Sequence, residues 1–267
     1  LISTADVVVE NFRPGTVARL GIGYDQARKR NDSIIYASCS GFGQTGPWAS
    51  YRGFGMQFEA AYGGASIIGY PDMDPDGVPP SVPSDASTGV TIALATLMAL
   101  HQREKTGKGM FIDISLGENF LPHLGELIMD YTINGRVARP RGNRHPRDTA
   151  APHGVFPCAG DDRWISIAVE TDEEWAGLVR AMEAPDWATG TGLETHDGRL
   201  QSIGSIHEHL ATWTAGFDDQ ELAARLQGAG VAAAPVLNVA DLLENPHYRA
   251  RAVRTKSSRA CHPPQGN

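Results

Sequence analysis

The sequence predicts an α/β protein: a Rossmann-like parallel sheet in the first half, followed by a smaller α/β unit. Three observations lead there. Two continuous apolar runs, Asp6-Val7-Val8-Val9-Glu10 and Ile34-Ile35-Tyr36-Ala37-Ser38-Cys39, flank a stretch at 14–30 that mixes Val17, Leu20 and Ala27 with charges. Apolar strands separated by helical segments belong to parallel sheets. A long apolar helix over 86–103 then leads into a third strand-like run at 110–116 (Phe111, Ile112, Ile114 and Leu116). Beyond residue 150 the pattern changes to a hairpin signature, with 154–158 and 164–169 flanking Gly160-Asp161-Asp162-Arg163.

Each element has a local reason. Residues 14–30 read as one or two short helices. Ser40-Gly41-Phe42-Gly43-Gln44-Thr45-Gly46-Pro47 is a glycine-rich loop just past the carboxyl end of the second strand, where open α/β sheets bind ligands. The helix over 86–103 is apolar on every side, so burial is expected. Thr106-Gly107-Lys108-Gly109 stops it with glycine and cations suited to a helix end. Residues 119–131 read as a further helix. In the second unit Thr171-Asp172-Glu173-Glu174 is a capping box opening a helix with Trp175, Leu178, Val179 and Met182 on one face. A helix fits 219–227 and a strand 231–237. Units at 1–140 and 152–245 are expected, with a tail at 251–267 that is polar, aperiodic and expected to be disordered or foreign to the fold.

Composition narrows the function classes. The formal net charge of −8 gives no general basis for nucleic-acid binding. Residues 136–147 hold five arginines; they suit either a nucleotide phosphate or a solvated loop, and the sequence leaves both open. Cys39, Cys158 and Cys261 lie far apart, which fits a reducing compartment and offers no zinc site. No run approaches the roughly 20 apolar residues of a membrane span, and a cytoplasmic protein is expected. The chain opens on Leu1 without a signal-peptide pattern and reads as cut from something longer.

Asp85 is the leading candidate for chemistry. It sits in Pro83-Ser84-Asp85-Ala86-Ser87-Thr88-Gly89, where a Pro-rich stretch turns into the apolar helix. A carboxylate there meets the unpaired N–H groups of a helix start, and at a dry site it can act as a nucleophile. An ordinary capping aspartate fits the same position. His207-Glu208-His209 does not suggest a metal site, because residues two apart on a helix point in different directions. Cys39 reads as a small buried strand residue.

Three segments in register resemble the class III CoA-transferases, a family that includes formyl-CoA transferase, carnitine CoA-transferase and α-methylacyl-CoA racemase. They are Val9-Glu10-Asn11-Phe12-Arg13-Pro14-Gly15 continuing to Arg19-Leu20-Gly21, the glycine loop at 40–47, and the stretch from Asp85 through Arg103-Glu104-Lys105-Thr106-Gly107-Lys108-Gly109. The resemblance continues to about Tyr248. It implies the CoA-transferase fold and places the catalytic aspartate at Asp85. CoA contacts are implied at Asn11, Phe12, Arg13 and Arg19, and at Tyr51, Arg52, Gly53, Phe54 and Gly55. The implied reaction moves CoA from an acyl-CoA to a carboxylic acid through an aspartyl mixed anhydride, with CoA as substrate and no metal or redox cofactor. It also implies an interlocked homodimer when the chain is complete, whereas this chain reads as a fragment lacking both ends. Where racemases carry a proton-exchanging histidine, this chain has Phe54, so transfer is favoured over racemisation. The segment 147–154 has one glycine where formyl-CoA transferase has a run, which points to another acyl acceptor. The rival readings are an isomerase pairing Asp85 with Glu59 or His123, and an inactive CoA-binding fragment.

Overall fold

The computed structural model describes residues 1–74 and 83–251. The Pro-rich approach to Asp85 at 75–82 and the tail expected to be disordered, apart from Arg251, lie outside the described residues. The chain divides into two units, Leu1–Gly142 and Asn143–Asn267.

The first unit is built on a parallel sheet ordered β1 (Val7–Glu10), β2 (Ile35–Ser40), β3 (Met110–Ser115). Val8 lies opposite Tyr36, and Tyr36 opposite Phe111. Every residue of the central strand β2 is buried, as its unbroken apolar run requires. Because the strands run in parallel, Glu10, Ser40 and Ser115 end on the same edge. The short helices α1 (Thr16–Arg19) and α2 (Tyr24–Arg28) return the chain from β1 to β2. Tyr36 seals this side by packing edge-on to Tyr24 and donating its hydroxyl to the Ile22 carbonyl at 2.9 Å.

Helix α3 (Gly55–Ala61) had no clear sequence signal; α4 (Pro83–Thr106) did. Gly107, at φ 68°, ends α4 with its N–H on the Arg103 carbonyl at 2.7 Å. Arg103 ties that end to the sheet by donating to the Ser33 carbonyl at 3.2 Å and to Asp6 Oδ1 at 2.9 Å. Burial all round is not what α4 shows. It packs on β2 and β3, yet Val90, Leu94, Leu97 and Met98 are 58–72% exposed along one face. Apolar patterning records which side chains avoid water but not what covers them, and nothing among the described residues covers this face. The helix expected at 119–131 is divided into α5 (Leu116–Phe120), a 3-10 turn at Leu121–Leu124 and α6 (Gly125–Asn134). Pro122 lies in that turn, where a missing N–H interrupts the helical ladder.

The second unit carries an antiparallel sheet ordered β4 (His153–Pro157), β5 (Trp164–Ala168), β6 (Ala232–Pro235). Pro157 pairs with Trp164 across the hairpin. Helices α7 (Asp172–Ala181), α8 (His196–Gln201), α9 (Ile203–Thr214) and α10 (Asp219–Gly228) accompany it, and α11 (Val239–Glu244) and α12 (Pro246–Ala250) follow. Thr171 and Glu174 form the expected capping box. Ile165, Ile167, Leu178, Leu210, Leu222 and Leu226 form a core with at most 1% exposure. Arg199 lies within this unit at 0% exposure. It donates to the Ala151 and Leu193 carbonyls and to Asp172 Oδ1, at 2.9, 3.1 and 2.9 Å, and stacks over Trp175. A buried guanidinium with a partner on each of its three nitrogens is a structural pin.

His207, on α9, packs edge-on to Phe156 with ring centroids 5.2 Å apart. Burial first, then the charges of Arg144 and His153, push its pKa from 6.5 down to about 4. The folded pKa lies below the unfolded one, so this contribution to stability is present above pH 6.5 and lost as pH falls towards 4. Allowing for partial exposure of the ring, the loss is about 1–2 kcal/mol. Denaturant melts across this window should therefore show falling stability in the wild type and a flatter profile in His207→Phe.

Candidate active site

The carboxyl edge of the parallel sheet opens into a cleft of about 890 Å3, and among the described residues its lining belongs to the first unit. Its floor is organised by Glu10, which is 8% exposed at the end of β1. Glu10 Oε2 accepts the Phe12 N–H at 2.8 Å, and Oε1 accepts the Ser38 hydroxyl. Ser38 Oγ in turn accepts from Gln44 Nε2 at 2.8 Å, and the Gln44 N–H donates to Asp113 at 3.1 Å. One buried carboxylate thus ties the loop after β1 to the glycine-rich loop after β2.

Gly41 is a steric requirement of this wall. A Cβ there would lie 2.1 Å from the ring of Phe58 on α3. Phe58 also packs edge-on to Phe42, with ring centroids 5.1 Å apart, and Phe42 meets Trp48, Tyr51 and Tyr62. The Gly41 carbonyl accepts from Ser115 Oγ and Gly117 N–H, each at 3.1 Å. On the far side of the loop, Arg13 Nη2 donates to the Ser50 carbonyl at 3.3 Å, which joins the 11–15 segment to the turn before Tyr51.

The cleft brings together Asn11, Phe12 and Arg13, the run Tyr51, Arg52, Gly53, Phe54 and Gly55, and Asp85 with Thr88, Gly89 and Ile92 of α4. Asp85 occupies the first turn of α4 and is exposed rather than dry. Arg19 does not line the cleft. It lies exposed at the end of α1, and its guanidinium turns back to Thr16 Oγ1 at 3.3 Å. Glu59 and His123 do not line it either: Glu59 is buried on α3 and His123 packs beside Phe120, ring centroids 5.8 Å apart. The 147–154 segment belongs to the second unit. On α9, His207 turns to Phe156 while His209 stacks on Trp187 at 4.6 Å, so the two imidazoles diverge. Among the described residues no cluster of three or more His, Cys, Asp or Glu side chains could hold a metal ion, and no helix is long and apolar enough to cross a membrane.

Sequence reading missed α3. Its only clues were Phe58 and two glycines, Gly41 and Gly53, whose need for a small residue becomes visible only in three dimensions.

The model of CoA-transferase family III matches residues 1–263, and the chain belongs to that family. Among its relatives is the succinyl-CoA–D-citramalate CoA-transferase of Chloroflexus aurantiacus, 34% identical over 94% of this chain and 61% of that protein. Another is the acetyl-CoA:oxalate CoA-transferase of Acetobacter aceti, 34% identical over 96% of this chain and 65% of that protein. The crystal structure of a CAIB/BAIF family protein from Brucella suis superposes with a TM-score of 0.85 at 29% identity, covering 94% of this chain and 65% of that one. The chain therefore spans less than two thirds of the length of these proteins.

Cys39 also lines the cleft. Burial first, then the negative charges of Glu10, Asp85 and Asp113, push its thiol up to about 11, so it is protonated and a poor nucleophile near neutrality. Alkylation of Cys39 by iodoacetamide is expected to be slow at neutral pH and to rise about tenfold per pH unit towards its pKa. Peptide mapping after timed labelling checks this.

Proposed function

We propose that this chain carries the CoA-binding and catalytic part of an acyl-CoA:carboxylate CoA-transferase, with Asp85 as nucleophile. One observation carries the reading most directly: the exposed Asp85 carboxylate opens into the same cleft as Asn11, Phe12, Arg13 and the 51–55 run. Of the other candidate nucleophiles lining the cleft among the described residues, the Glu10 carboxylate has both oxygens engaged and the Cys39 thiol is held protonated.

In this reading Arg13 and Arg52 pair with CoA phosphates, for which guanidinium groups supply several donors each. Arg19 joins them only if its side chain leaves Thr16. Phe12, 50% exposed, offers an apolar face to the nucleotide. An Asp85 oxygen attacks the thioester carbonyl, the C–S bond breaks, and sulfur leaves as the CoA thiolate. The resulting mixed anhydride exchanges its acyl partner with an incoming carboxylate, and thiolate closes the new thioester. The donor acid leaves as its carboxylate, so no electron and no net proton enters or leaves. Phe54, 84% exposed at the cleft, cannot exchange an α-proton, which favours transfer over racemisation.

Relatives named for succinyl-CoA as donor include enzymes of D-citramalate, mesaconate and L-malate. We take a dicarboxylic acyl group to be the favoured cargo here too. The exposed face of α4 and the family membership support a homodimer as the working form, and a cytoplasmic setting fits the thioester substrate.

Incubation with succinyl-CoA followed by hydroxylamine should leave a hydroxamate on Asp85, seen by peptide mass spectrometry. Asp85→Asn should abolish it and lower turnover by about three orders of magnitude or more. Intact CoA binding with no label on Asp85 from any acyl-CoA would remove the nucleophile assignment.

A further inference from the structure

We infer that Glu59 is a positioning residue for the Asp85 nucleophile, acting through the first turn of α4; the inference rests on the assignment of Asp85 as nucleophile. Glu59 is 4% exposed, and its Oε1 accepts the backbone N–H of Ser84 at 2.9 Å. Ser84 is itself fully buried and immediately precedes Asp85. Burying a carboxylate is costly, and an N–H at a helix start is commonly capped by a side chain close in sequence. Here the acceptor comes from α3, 25 residues upstream, so the hydrogen bond joins two separate elements of the site.

A second attachment holds the same turn from the other side. Asn119 Nδ2, on α5, donates to Ser87 Oγ and to Thr88 Oγ1, each at 3.1 Å, and Ser87 Oγ donates to the Ser84 carbonyl at 3.1 Å. The backbone of the turn is thereby fixed by Glu59 and its hydroxyls by Asn119. Asp85 makes no side-chain hydrogen bond or ion pair among the described residues. A nucleophile needs its lone pairs free, so its direction has to be set through the main chain rather than by contacts to its own carboxylate. Helix α3 is suited to that task, because Phe54, Gly55 and Phe58 line the cleft while Glu59 reaches the catalytic helix.

The test compares Glu59→Ala, Glu59→Gln and Asn119→Ala in the full chain, following single-turnover labelling of Asp85 by succinyl-CoA and, separately, CoA affinity by calorimetry. Glutamine keeps an acceptor oxygen but cannot act as an acid or base, so it separates positioning from proton transfer. Glu59→Ala should slow Asp85 acylation about ten- to a hundredfold while CoA affinity stays within about twofold; Glu59→Gln should recover most of the rate, and Asn119→Ala should fall between. Wild-type acylation in Glu59→Ala would overturn the inference alone. So would Glu59→Gln as slow as Glu59→Ala, or a parallel loss of CoA affinity. A wild-type protein that never labels at Asp85 would overturn both the inference and the reading beneath it. Should Glu59→Ala fail to fold, Glu59→Gln and Asn119→Ala carry the same comparison: a near-normal rate in the first and a slowed rate at unchanged CoA affinity in the second are required, and any other pairing overturns the inference.

Discussion

The buried carboxylate of Glu10 is the contact on which the cleft depends. It stands at the end of β1 and serves two loops at once, accepting the Phe12 N–H on one oxygen and the Ser38 hydroxyl on the other. Through Ser38 and Gln44 the same network reaches Asp113 on β3, so all three strands of the parallel sheet are joined at their carboxyl edge. Together with the β1–β2 pairing and the Arg13–Ser50 hydrogen bond, it sets the segment carrying Asn11 and Arg13 against the glycine loop. Removing one partner from such a network leaves the others buried and unpaired, which costs more than the hydrogen bond itself contributes.

Around that frame, sterics do much of the remaining work. Gly41 and Gly53 let the Phe58 ring lie against the loops, and Gly117 makes the same room for Tyr62. These contacts place α3 against the wall of the cleft. Glu59 and Asn119 then hold the start of α4 between α3 and α5. In the proposed reaction the carboxylate needs correct placement beside a reactive thioester, which an exposed Asp85 on a turn held by buried neighbours would supply.

Much of this was legible in the sequence because its signals are local. The runs at 6–10 and 34–39, the Gly107 stop and the Thr171–Glu174 capping box each carry their own short-range physics, and each formed as read. What was not legible depends on partners distant in sequence. Helix α3 lacks a strong amphipathic pattern and is fixed by glycines elsewhere. The uncovered face of α4, with Val90, Leu94, Leu97 and Met98, shows the limit of patterning most clearly: the side chains are apolar, yet nothing among the described residues covers them. Arg19 shows another limit. Its place in the motif says nothing about rotamer, and its guanidinium rests on Thr16.

The central claim, that the first unit's cleft receives an acyl-CoA with its thioester beside Asp85, is tested most directly by hydrogen–deuterium exchange with and without a non-hydrolysable acyl-CoA thioether. Protection is expected together in the loop at 11–15, in the run at 51–55 and in the first two turns of α4. Exchange unchanged in these segments, or protection confined to the arginine-rich stretch at 136–147, would contradict the account.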